Sequence, residues 1–83
     1  MRPKNLDDLL AKLGFTRDGT AYLAPPGQTA SVYLTRGDES LILDRVVRIE
    51  SGDETAIITT GRKEKYGVEL EEVRALRVVP DGK

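Results

Sequence analysis

Eighty-three residues make one domain with a small core, because a chain this short buries only about 60–65% of its unfolded surface. Cysteine and histidine are both absent, which excludes disulfides, the usual zinc ligands and nucleophilic catalysis by Ser-His-Asp or Cys-His pairs. Thirteen basic residues against fourteen acidic ones, interleaved along the chain, favour a solvated mixed-charge surface over the basic face of a nucleic-acid binder.

The first element expected is a short helix over residues 5–13. Leu6, Leu9, Leu10 and Leu13 fall at i, i+3, i+4 and i+7, one apolar stripe. Asn5 is the expected N-cap, Asp7 and Asp8 suit a first turn, and Gly14 suits the left-handed position beyond the last turn, with Phe15 folding back. Nine residues are marginal alone, so Leu9 and Leu10 are expected to dock on one end of the remaining structure. "FTRDGTAYL" over 15–23 reads as a hairpin turning at Asp18-Gly19, a register that sets Phe15 opposite Tyr22. "APPGQT" then breaks the sheet, since Pro25 and Pro26 lack the N–H a ladder needs.

From residue 30 to 79 the pattern is β. "ASVYLT" alternates, and "RGDES" is a turn. "LILDRVVRIE" is the longest strand, with Leu41, Leu43, Val47 and Ile49 expected on one face and a bulge expected where Arg45 interrupts it. "AIITT" and "YGVEL" are strands of about 56–60 and 66–70, joined by the charged tip "GRKEK". Leu70 and Val73 are three apart, as in a single 3₁₀ turn, and "RALRVV" closes with a last strand that Pro80 ends.

Val32, Leu34 and Gly37 stand at the V-x-L-x-x-G spacing of the first barrel strand in Sm-like proteins. With the strand order and the turn before the last strand, residues 30–79 resemble the small SH3-like and Sm-like (LSm) barrels. The resemblance implies a mainly β fold of about five barrel strands with a short N-terminal helix; the extra N-terminal hairpin at 15–23 is not part of that pattern, and all of it is expected in a single domain over 1–83. The Asp and Asn of Sm-like RNA binders have no counterpart, since no asparagine follows Asn5.

The remaining chemistry is sparse. Asp38-Glu39, Asp53-Glu54 and Glu71-Glu72 fall at turns, where general acid–base work finds no burial to shift a pKa. The glycines form no phosphate cradle. No enzyme activity, cofactor or metal is expected. The densest positive charge is Arg62, Lys63 and Lys65 at the tip, followed by Tyr66. Arg45, Arg48, Arg74 and Arg77 would widen that patch if their two strands were neighbours. Pairings of Arg45 with Glu72 and of Arg74 with Glu50 would instead neutralise it. These eight residues are the candidate partner or nucleic-acid contacts. The expected function is a non-catalytic interaction module that binds a protein partner or a second copy of itself. The alternative is weak, sequence-tolerant RNA or single-stranded DNA binding. No apolar run approaches the roughly 20 residues of a membrane span, and no signal peptide is visible, so a cytoplasmic location is expected.

Overall fold

A computed structural model describes residues 1–80; the last three positions of the expected 1–83 domain lie outside the described residues. The chain is mainly β. Helix α1 (Pro3–Lys12) precedes β1 (Thr16–Asp18), β2 (Ala21–Leu23), β3 (Gln28–Arg36), β4 (Glu39–Ser51), β5 (Thr55–Thr60), β6 (Lys65–Glu69) and β7 (Val73–Pro80), with a 3₁₀ turn at Leu70–Glu72.

Helix α1 starts two residues earlier than expected. Pro3 occupies the first turn, where its missing N–H costs nothing, and Arg2 rather than Asn5 is the cap residue. Asp7 and Asp8 consequently lie beyond the first turn. The C-terminus follows expectation. Gly14 takes φ +93°, its N–H donates to the Ala11 carbonyl, and the Phe15 N–H donates to the Leu10 carbonyl. Those two bonds are a Schellman closure. Leu6 and Leu10 are buried, while Leu9 remains 37% exposed, so only part of the leucine stripe docks.

The hairpin turn lies one residue later than expected, which shifts the pairing by two. Asp18 pairs with Ala21, so the two-residue loop is Gly19-Thr20, and Arg17 rather than Phe15 sits opposite Tyr22. Gly19 decides this: it carries φ +65° at the first loop position, as a type II′ turn requires. The Arg17 guanidinium lies 5.4 Å from the Tyr22 ring centre. Pro25-Pro26-Gly27-Gln28 forms the expected break, closed by the Gln28 N–H on the Pro25 carbonyl, with Gly27 at φ +74°.

Strand β4 organises everything else. Its first half pairs with β3 (Arg36 with Glu39, Leu34 with Leu41, Val32 with Leu43), and its second half pairs with β2 and β5 on opposite edges. Strands β2 and β3 therefore lie end to end along one edge of β4, and the proline turn loops out between them. Strand β7 pairs with β3, and β6 with β5. The sheet can follow both directions only if β4 bends. It does so at Arg45, which has φ +57° where the β3 register slips, and again between Val46 and Arg48 where the β5 register slips. The bulge expected at Arg45 is thus present, but it moves the buried face. Leu43, Val46 and Ile49 are inside, Val47 is half-buried, and Leu41 is exposed.

The result is a strongly curled half-barrel. Its core joins Leu6, Leu10, Phe15 and Tyr22 to Val32, Leu34, Val46, Ile49, Ile58, Leu70 and Val73. No helix among the described residues is long and apolar enough to cross a membrane.

Candidate interaction surface

The charged tip is a hairpin loop between β5 and β6. Thr60 builds it. Its buried hydroxyl oxygen accepts the N–H groups of Arg62 and Glu64 at 3.3 Å each, and the hydroxyl donates to Glu64 Oε1 at 3.4 Å. The Thr60 N–H also donates to the Glu64 carbonyl, and the Lys63 N–H to the Thr60 carbonyl. Lys63 takes φ +67° to complete the turn. The same Glu64 oxygen accepts the Tyr66 hydroxyl at 3.3 Å, which fixes the ring at the base of the tip. Arg62, Lys63 and Lys65 are exposed.

The eight candidate residues do not form one basic face. Strands β4 and β7 are separated by β3, so Arg45 and Arg48 are not adjacent to Arg74 and Arg77. Neither expected ion pair forms. Glu72 instead holds Arg36, with the guanidinium Nε at 2.9 Å, while Arg74 Nε donates to Thr35 Oγ1 at 2.8 Å and Arg48 meets Glu50 at 3.5 Å. What the fold does bring together is Arg45, Arg62, Glu64 and Tyr66. They share a shallow cleft of about 320 Å3 with Ile42, Leu43, Asp44 and Thr60.

A second cleft of about 310 Å3 adjoins it, and Leu43 and Tyr66 line both. Leu34, Leu41 and Val68 make its apolar wall, and Arg36, Glu39 and Glu72 its rim. The hydrogen bond from Arg36 is the main reason the Glu72 carboxyl lies below its usual range, with burial opposing it. The same bond raises the Arg36 guanidinium. Glu72 also accepts the Glu69 N–H and so caps the 3₁₀ turn.

Both clefts lie along an unpaired strand edge. Beyond the bend, β4 pairs with β5; before it, residues 39–44 have β3 on one side and no strand on the other. The two-residue turn Gly37-Asp38 makes Arg36 and Glu39 a hydrogen-bonded pair, so the backbone groups of 39, 41 and 43 point to β3. Those of Ser40, Ile42 and Asp44 point outward. Leu41 is 56% and Ile42 50% exposed on this edge. Sequence reasoning missed both. Leu41 is expected on one face with Leu43, Val47 and Ile49, and shares that face with Leu43 without sharing its burial; Ile42 has no expected role. The signal is the run Leu41-Ile42-Leu43, since a period of two cannot hide three consecutive apolar side chains in a one-sided strand.

Among the described residues, no group of three His, Cys, Asp or Glu side chains is placed to hold a metal ion. No protein-family model matches the chain, and no curated protein or solved structure matches it.

Proposed function

We propose that the protein is a non-catalytic interaction module, and that the open edge of β4 with its two clefts is the contact surface. The observation that carries this reading is the pair Leu41 and Ile42, half or more exposed on a strand edge whose outward backbone groups have no partner strand. Such an edge recognises another extended backbone by strand addition, and the apolar cleft beside it takes alternate side chains. The order β7-β3-β4-β5-β6, with a 3₁₀ turn between the last two strands in sequence, supports the SH3-like or Sm-like reading of the barrel.

The carboxylates support a binding role over catalysis. Asp38, Glu39, Asp53, Glu54 and Glu71 are exposed, and the Glu72 carboxyl is held ionised by Arg36. A carboxyl with a lowered pKa is no proton donor at neutral pH. Separation of the arginines onto β4 and β7 leaves Arg62, Lys63 and Lys65 with Arg45 alone beside them and Glu64 among them, too few cations for more than a weak phosphate contact.

Peptide-display selection on sparsely immobilised protein tests the proposal. Enrichment of extended, alternating apolar peptides, abolished by Ile42→Pro, is the expected result. Selection of no peptide, or of peptides indifferent to Ile42→Pro, overturns it. A submicromolar, salt-sensitive complex with single-stranded RNA or DNA would put nucleic-acid binding in its place.

A further inference from the structure

The segment Glu39-Ser40-Leu41-Ile42-Leu43-Asp44-Arg45 is complementary to its own reverse. Acid stands at one end, base at the other, and two leucines flank a central isoleucine. We infer that the open β4 edge pairs antiparallel with the same edge of a second copy about a two-fold axis at Ile42, giving a homodimer. This rests on the reading of that edge as the contact surface and names its occupant.

The register follows from the backbone. Ser40, Ile42 and Asp44 carry the outward N–H and C=O groups, since 39, 41 and 43 are bonded to β3. With the axis at Ile42, every outward residue meets an outward residue. Ser40 of each copy lies opposite Asp44 of the other, and Ile42 lies opposite its own symmetry mate. A shift of the axis by half a residue would set outward groups against inward ones and lose the ladder.

The side chains agree with the same register. Leu41 shares the inner face with buried Leu43, so Leu41 of each copy meets Leu43 of the other and loses its exposure. Ile42 shares the outer face with Tyr33, its cross-strand partner on β3, and meets its own mate there. The Ser40 hydroxyl reaches toward the Asp44 carboxylate, whose other contact is the hydroxyl of Ser31 at 2.8 Å. The ladder ends at Asp44, because Gly61 already holds the outward Arg45 carbonyl, and Glu39 of one copy comes beside Arg45 and Arg62 of the other at that end.

Charge extends the match beyond the strand. The Gly61 N–H donates to the Arg45 carbonyl at 2.8 Å, so the basic tip begins where the open edge ends. In the dimer the acidic turn at Asp38-Glu39 of one copy arrives at that point, beside Arg45, Arg62 and Lys63 of the other. The tip thereby acquires an acidic partner of defined position. Like ends would meet in a parallel arrangement, so the charges select the antiparallel one. The contact is small, and its dissociation constant is expected on the order of 10–100 µM, the weak end of specific interfaces.

The test is solution mass of the full chain by light scattering from about 1 µM to 1 mM, with amide exchange measured at both extremes. The mass should rise from 9.1 kDa toward twice that value. The Ser40, Ile42 and Asp44 amides should gain protection at high concentration, and those of Leu41 and Leu43 should not change. Glu39→Lys and Arg45→Glu should each weaken association at least tenfold, because each creates two like-charge contacts, and the double variant should recover it. Circular dichroism on each variant confirms that the fold is kept. A mass of 9.1 kDa throughout overturns the dimer; if display selection still yields peptides blocked by Ile42→Pro, the contact surface stands with another occupant. A dimer indifferent to the charge reversal, or one that protects other amides, overturns this pairing.

Discussion

Replacing Leu10 with alanine tests whether α1 is part of the barrel or an appendage. Leu10 has no exposed surface and packs in the cluster with Leu6 and Phe15, and its carbonyl closes the Schellman bond from Phe15. Leucine-to-alanine changes at such sites cost about 2.7–5 kcal/mol, depending on how far the cavity collapses. A short helix on the rim can settle inward, so about 3 kcal/mol is expected. For a domain of this size the urea slope is about 1 kcal/mol per molar, so the midpoint should fall by about 3 M. Leu9→Ala is the control. Leu9 is 37% exposed, and alanine is the better helix former, so its loss should stay under about 1 kcal/mol. Both are measured at low micromolar concentration, where association contributes little. Equal, small losses would refute the docking, because they would mean that neither face of α1 is buried.

Four further outcomes follow from individual residues. Lys63→Gly should stabilise by about 0.5 kcal/mol in urea titration, since lysine at φ +67° carries a left-handed strain that glycine lacks. Thr59→Val should be neutral or stabilising by up to about 1 kcal/mol, because the Thr59 hydroxyl is buried without a hydrogen-bond partner and a strand favours a β-branched replacement. The Arg36–Glu72 pair gives acid sensitivity of known sign. A carboxyl whose folded pKa is lowered stabilises above its unfolded value of 4.5, and that contribution is lost as pH falls through the folded value; Glu72→Gln should flatten the pH dependence of stability below that point. The Arg62→Ala, Lys63→Ala, Lys65→Ala variant should keep the fold, with monomer stability within about 1 kcal/mol of wild type, because the three side chains are exposed at the tip.

The sequence was most informative where a residue has a single backbone use. Gly14 and Gly27 marked a helix end and a turn, Pro25 and Pro26 marked the sheet break, and Arg45 in an apolar strand marked the bulge. The 3₁₀ turn was legible in the spacing of Leu70 and Val73, and the tip hairpin in the two apolar runs beside "GRKEK". Errors arose where two local rules competed. Asp18-Gly19 and Gly19-Thr20 both satisfy a tight turn, and they differ in whether glycine takes the second or the first loop position. The bulge was foreseen but its consequence was not. An extra residue at the bend exchanges inside and outside, so Val46 enters the core, and the second slip before Arg48 returns Ile49 to the buried side. The arginines were legible as charges but not as neighbours, because the sequence alone does not show that β3 lies between β4 and β7.

The other strand edges explain why the β4 edge carries the functional reading. Unpaired edges invite association, and proteins blunt them with short strands, charge and proline. Strand β1 is three residues long and carries Arg17 and Asp18. Strand β6 places Lys65, Gly67 and Glu69 on alternate positions, with charge at both ends of its exposed face. Strand β7 exposes Arg74 and Arg77 and finishes in Pro80. Each therefore has a guard. The first half of β4 has charge only at its ends, and between them lie Leu41 and Ile42, the most exposed large apolar side chains among the described residues. An unguarded apolar edge in a chain that guards its others is the support for the contact surface we propose. The opposite charges at its two ends, acid at 38–39 and base at 45 and 62–63, admit an extended partner that presents them in reverse order and repel one that does not.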